Sequence, residues 1–235
     1  MYTSPFTEMR DRAEMEALVR RVGVATFVTV GTDGRPAATL LPVLWRDDRL
    51  IAHAATANPQ FRGLSDDAQA LAIVNGPDAY VSPMWYATRA KAGRAVPTWN
   101  YLSVHISGRV RLHRDPDWLR AAVTELSERH EQGRASAWAI DQAPRLYLEG
   151  LLLGIVGLEM LIERVEGKAK LSQNRVAADR VGIIAGLRAE PGPASWAVAD
   201  EMDRREQRRR TGGSAANSGL ADPDDPDDPA PGWGT

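Results

Sequence analysis

Cysteine does not occur in the 235 residues. Disulfides, thiolate metal sites, iron–sulfur clusters and a cysteine nucleophile are therefore excluded. Apolar runs long enough to span a bilayer are missing too. The N-terminal stretch MYTSPFTEMRDRAEME is polar and carries acids, unlike a signal peptide. The cytoplasm is the expected compartment, with no membrane contact. An excess of one charge is also absent. The 29 Lys and Arg against 31 Asp and Glu leave a formal net charge of −2, which argues against bulk binding of nucleic-acid phosphate. The patterns GxGxxG and GxxxxGK[ST] do not appear, so neither a Rossmann fold nor a P-loop is supported. No GxSxG elbow is present. Histidine is scarce, at His53, His105, His113 and His130. His130-Glu131 begins like HExxH, but Arg134 stands where the second histidine belongs, and a zincin is rejected.

What remains is an ordinary globular balance, 43% hydrophobic and 26% charged, sufficient for a sizeable core. The simplest division is one domain over residues 1–190, a helix with a basic end over 191–210, and a Gly/Pro/Asp-rich tail over 211–235. The tail, with its DPDDPDDP repeat, buries too little to fold and is expected to be disordered.

Hydrophobic periodicity predicts the elements. Residues 11–22 form an amphipathic helix with Met15, Leu18, Val19 and Val22 on one face. Strands follow at 24–30, 36–45 and 49–54, joined by loops too short for crossover helices, so the strands are antiparallel neighbours. Pro42 points to an edge or a bulge. Asn58 caps a short helix over 58–64 with Pro59 at its first position. Strands at 69–74 and 79–82 flank a Gly76-Pro77-Asp78 turn. Residues 83–96 read as a mobile basic loop delivering Trp85 and Tyr86. The longest strand, 96–113, alternates Leu102, Val104, Ile106, Val110 and Leu112. Gly108 marks a bulge or a close backbone approach. Helices at 115–131 and 144–152, a last strand at 155–165, and helices at 177–187 and 196–210 complete the chain.

Unusual residues concentrate in four places. In HAATANPQ (53–60), a strand runs into a helix start, where backbone N–H groups with Thr56 and Asn58 suit a phosphate or propionate. The plain alternative is an ordinary capped helix. His53 is either structural or, as a neutral imidazole, a haem-iron ligand. In YVSPMWY (80–86), two aromatics form a lid over a planar ligand or simply pin a loop. Thr98-Trp99-Asn100-Tyr101 offers stacking and hydrogen bonding, or plugs a strand end. In GKAKLSQNR (167–175), cations and amides after a strand hold a carboxylate or phosphate, or form a solvated loop with a helix cap at Asn174.

HAATANPQ, GPDAYVSPMWY, VPTWNYLSVHISG and GKAKLSQNR, in this order and spacing, resemble the PaiB family, described as FMN-binding negative transcriptional regulators. The resemblance runs to about Leu187. It implies a mainly β, α+β fold: a six- or seven-stranded antiparallel Greek-key split barrel like those of the flavin reductases. It also implies a homodimer with two ligand sites at the interface. FMN is then the expected cofactor, with its phosphate near Thr56, Ala57 and Asn58. Its ring lies near Trp99 or Trp85, with Asn100 in the same fingerprint, and Lys170, Ser172 and Gln173 reach in from either subunit. Leu40 stands where the family commonly has His, and Ala169 where it often has Trp; both departures are expected to reshape the pocket. A related subgroup resembles the haem-dependent piperazate synthases, which join two nitrogens of an N-hydroxylated ornithine. By that resemblance His53 is the axial ligand of haem b. No helix-turn-helix pattern appears, and the basic run 204–210 sits beside an acidic tail. Direct DNA binding is not expected, and regulation would be indirect.

Overall fold

The computed structural model describes residues 1–89 and 95–212. The tail from residue 213 on and the centre of the expected basic loop, 90–94, lie outside the described residues. Two compact units divide the chain. The first holds Met9–Asn75 and Ser103–Gly167; the second holds Tyr2–Glu8, Gly76–Leu102 and Lys168–Thr235.

Unit 1 opens with helix α1 (Arg12–Val22). Asp11 caps it by accepting from the Ala13 N–H, and Met15, Leu18 and Val19 are its buried face. Strands β2 (Val24–Val30), β3 (Pro36–Pro42), β4 (Leu44–Arg46) and β5 (Arg49–Ala55) follow; the two-residue β1 (Glu8–Met9) precedes α1 and pairs with β8. After the short α2 (Pro59–Arg62) come the long strands β6 (Ala68–Val81) and β7 (Thr98–His113). Helices α3 (Pro116–Glu131) and α4 (Arg145–Leu152) lead to β8 (Ile155–Lys170). Strands β6, β7 and β8 contribute residues to both units.

The antiparallel sheet has the order β3-β2-β6-β7-β8-β5-β4, seven strands in the main path and eight with β1. From β5 the chain crosses through α2 to β6 beside β2. It then returns through β7 and β8 to pair with β5, the non-sequential pairing of a Greek key. The two ends of the ladder, β3 and β4, are joined by Val43 alone. Since one residue spans under about 4 Å, the sheet must curl until its edges meet at that corner. The result is a barrel left open between β3 and β4.

Alternation along each strand fills the inside. Ala25 and Phe27 of β2, Leu50 and Ala52 of β5, Val104, Ile106 and Val110 of β7, and Leu158 and Met160 of β8 are all fully buried. The opposite face of β4 and β5 is covered by α3, where Leu44, Ile51, Ala122 and Leu126 pack with Trp118.

Several expectations are corrected. Residues 36–45 are two strands, β3 ending at Pro42 and β4 starting at Leu44, while the Val43 N–H between them donates to the Gly23 carbonyl at 2.9 Å in the register of the β2–β3 pairing. Gly76-Pro77-Asp78 is no turn: β6 runs straight through it. Its pairing with β2 covers only 70–73, so Pro77 lies past the stretch where a missing N–H would cost a β2 ladder bond. The last strand continues beyond 165 to Lys170, so Gly167-Lys168-Ala169-Lys170 is strand rather than loop. At Gly108 the expected close approach is found. A Cβ there would collide with the Leu161 carbonyl oxygen of the neighbouring strand.

In unit 2, α5 (Ala177–Ala189) and α6 (Pro193–Gly212) pack together through Ile183, Leu187, Val198, Ala199 and Met202. The Arg180–Glu206 ion pair at 2.6 Å spans them. Helix α5 starts from Val176 without a side-chain cap, so Asn174 is not its cap. Among the described residues, no helix is long and apolar enough to cross a membrane.

Replacing Gly108 with alanine forces a methyl group into the backbone of β8. The substitution should lower stability by at least about 2 kcal/mol, read as a lower urea midpoint at unchanged m-value. An unchanged midpoint would show that β7 and β8 are not held this close.

Candidate functional site

The sequence-predicted residues fall into two groups, one in each unit. In unit 1 the group is built where β5 ends. His53 lies opposite Gly157 of β8, so the two share a face of the sheet. A Cβ on Gly157 would overlap the ring of Trp118, which therefore lies against that face. Trp118 in turn stacks on His113, with centroids 4.1 Å apart and rings 5° from parallel. His113 Nε2 is 3.0 Å from Glu159, whose carboxylate also pairs with Arg49 at 3.1 Å. His53 thus sits on the helix-covered side of the sheet. Its Nδ1 is buried and has no hydrogen-bond partner among the described residues. Burial pushes its pKa below the ordinary imidazole value, because the charged form loses water and gains nothing.

Beyond β5 the chain turns. The Thr56 N–H and hydroxyl both donate to the Gly154 carbonyl, at 2.9 and 3.1 Å. Asn58 caps α2 as expected: its Oδ1 accepts from the Gln60 N–H at 3.0 Å, while its Nδ2 donates to Thr39 at 3.0 Å. Ala57 is exposed, and its carbonyl accepts from Arg62 at 3.1 Å. A guanidinium therefore stands beside the turn proposed for an anion.

The residue that sequence reasoning passed over is Gln60. Its amide donates to the Phe27 carbonyl (3.0 Å), the Thr29 hydroxyl (3.2 Å) and the Ala37 carbonyl (3.2 Å), and its oxygen accepts from Thr39 at 2.5 Å. One side chain ties α2 to β2 and β3. The only signal was an amide two positions after a capping Asn. Leu40, at the position of the missing family histidine, is 64% exposed on the edge strand and lines no interior wall of this chain.

In unit 2 the group gathers on the outer ends of β7 and β8. Trp99 is half exposed; its indole N–H donates to Asp78 at 2.8 Å, and its ring meets Tyr80 edge-on at 6.2 Å. Lys170 Nζ donates to Thr98 Oγ1 at 2.6 Å, which leaves two ammonium protons for other acceptors. Asn100 is fully buried. It accepts from Ser172 at 3.1 Å and donates to Met202 sulfur at 3.5 Å. Asn100 and Ser172 are thus spent inside, holding a turn in which Ser172 adopts φ 57°. Gln173 closes the same turn, its oxygen accepting from the Leu171 N–H at 2.6 Å and its amide donating to the Ala169 carbonyl. Ala169 is 1% exposed, so the family's larger Trp has no room there in this conformation.

Trp85, read as part of a lid or as a pin on its loop, is placed as a pin in this conformation. It ends a one-turn helix (Pro83–Trp85) capped by Ser82. Cβ atoms on Gly182 and Gly186 of α5 would collide with its carbonyl oxygen and its ring, so it is seated on the two glycines. Tyr86 beside it is buried, under the Arg175 guanidinium at 5.1 Å. Among the described residues, no cluster of three or more His, Asp or Glu is placed to hold a metal ion.

An antiparallel Greek-key sheet, curled but open at one seam, is the split barrel of the flavin-reductase kind. The chain belongs to the family described as "Putative FMN-binding domain", matched over residues 1–164. It is 32% identical over 207 residues to the protease synthase and sporulation protein PAI 2 of Bacillus subtilis (strain 168), covering 86% of this chain and 97% of that protein. The family expected from the four motifs is therefore the one found. Among solved structures, the FAD and haem binding protein from Mycobacterium smegmatis superposes with a TM-score of 0.55 at 21% identity, over 74% of this chain and 78% of that one. The flavocytochrome Anf3 from Azotobacter vinelandii gives 0.53 at 15% identity, over 72% of each. These two likenesses concern the fold alone.

The burial of His53 has a pH consequence. As pH falls from 7 through about 6.5, the unfolded chain binds a proton that folded His53 resists. Stability therefore falls as pH falls, until the lowered folded pKa is passed. His105, also lowered by burial, adds the same sign. His53→Gln should flatten the loss of stability between pH 7 and 5.5 in urea titrations. A slope equal to that of the wild type would remove burial of this imidazole as the cause.

Proposed function

We propose that this protein binds FMN as a homodimer, and that any negative effect on transcription is exerted without direct contact to DNA. Membership of the FMN-binding family over most of the chain carries this reading. The residues present suit the parts of the cofactor. The Ala57 turn with Arg62 offers a guanidinium for a phosphate. The half-exposed Trp99–Tyr80 pair offers an aromatic face, and Lys170 two spare donors. Bound flavin would supply hydride or one-electron chemistry. Each group is a candidate by itself: the unit 1 turn for a phosphate, and the unit 2 aromatic pair with Lys170 for a planar ring with a polar edge.

A subunit contact is supported by α4 and the residue after it. Leu146, Tyr147, Leu151 and Leu153 are all more than half exposed, a larger apolar surface than an isolated chain favours. The absence of direct DNA binding is supported by the basic run itself. Arg204 and Arg205 both pair with Glu201, and Arg209 lies 3.6 Å from Glu206, so part of the positive charge of α6 is answered within the helix.

The haem reading has its own observation. His53 combines a buried Nδ1, unpartnered among the described residues, with a pKa lowered by burial. It is thus held as the neutral imidazole that iron binds.

An absorbance spectrum of the purified protein, before and after addition of FMN or haemin, separates the two. Flavin bands, or 1:1 quenching of FMN fluorescence that weakens about tenfold in Arg62→Ala, are expected for the first reading. A colourless protein that leaves FMN fluorescence unchanged would sink it. The second predicts a Soret band that disappears in His53→Ala, and haem retained undiminished by that variant would rule out His53 as the ligand.

A further inference from the structure

Unit 1 contains a cleft of about 670 Å³ that includes none of the residues assigned above to flavin or haem. That volume is in the range of small-molecule sites. Its floor is apolar, made by Val43, Leu44 and the largely buried indole of Trp45. Its rim carries Trp138, 40% exposed. Its wall is the second half of α3, where Glu125, Glu128 and Glu131 follow at three-residue spacing and so share one side of the helix.

The charges around this cleft are unevenly answered. Glu125 is paired with Arg46. Glu131 accepts from the Trp138 N–H at 3.0 Å and lies 3.6 Å from Arg134. Of the two cations in the lining, Arg20 lies 3.6 Å from Glu16. Arg129 donates to the Arg20 carbonyl at 2.8 Å, placing its charge on the negative end of α1. Glu128 is left, an exposed carboxylate between two others, with no counter-ion among the described residues. Like charges one turn apart on a helix repel, and a cation placed at Glu128 would relieve that repulsion. Beside it lie an exposed indole and an apolar floor, which accept an aromatic or aliphatic body.

We propose that this cleft binds a small organic ammonium ion, with its charge at Glu128 and its apolar body between Trp138 and the Val43–Leu44 floor. The site is separate from the flavin reading and stands or falls without it.

The test is calorimetric titration of the full chain with phenethylammonium chloride, set against sodium 3-phenylpropionate, which has a similar body and the opposite charge. Saturable 1:1 binding of the ammonium compound alone is expected. Glu128→Gln should raise Kd at least about threefold, the worth of a partly exposed ion pair. Trp138→Ala should weaken binding as well. Both side chains are exposed, so both variants should keep the wild-type melting temperature. Glu128→Lys should turn the preference towards 3-phenylpropionate. No saturable response from the wild type, equal binding of the two probes, or an unchanged Kd in Glu128→Gln would each overturn the proposal.

Discussion

Val43 is the single residue between β3 and β4, the two ends of a seven-strand ladder. A chain cannot bridge the width of a flat seven-stranded sheet with one residue, since adjacent strands alone are about 4.8 Å apart. The sheet must therefore curl, and the curl decides which side chains are inside. Phe27, Leu50, Ile106 and Met160 are buried within the barrel because of it. It also leaves the convex side of β4 and β5 to be covered by α3.

Close curvature needs places where side chains are missing. Gly108 lets the backbone of β8 lie against β7, and Gly157 lets the Trp118 ring lie against the sheet. Gly182 and Gly186 do the same for Trp85 on α5. In each case a large group occupies the volume that a Cβ would need, so the glycine and its neighbour act as a pair. Polar groups are settled in the same economical way. Gln60 satisfies three acceptors on two strands, and Asn100 with Ser172 satisfies a buried turn. Leaving such groups unanswered costs about 1–3 kcal/mol each. The Nδ1 of His53, unpartnered among the described residues, is for that reason a better indication of function than its position alone.

Much of the fold was legible. The meander, the long strand β7, the close approach at Gly108 and the Asn58–Pro59 helix start follow from period-two alternation and local cap chemistry. Errors came where tertiary pairing outweighed local signals. Gly76-Pro77-Asp78 has turn composition, yet β6 continues through it. Gly167-Lys168-Ala169-Lys170 looks like a loop, yet β8 extends through it, with Ala169 buried and Lys170 joined to Thr98. The candidate site was legible as four clusters, but the division of labour inside them was not. Asn100, Ser172 and Trp85 look like ligand contacts by type, and each is engaged by a neighbour distant in sequence.

The sequence by itself determined the family, the strand-rich pattern and the local caps, because motif order, alternation and capping depend on residues a few positions apart. Tertiary structure alone decided that Gln60 anchors two strands, that His53 faces the helix-covered side of the sheet, and that Glu128 borders a cleft without a counter-ion among the described residues. Those outcomes depend on register between strands far apart in the chain and on which groups are left unanswered once the barrel has curled. Local composition carries neither kind of information.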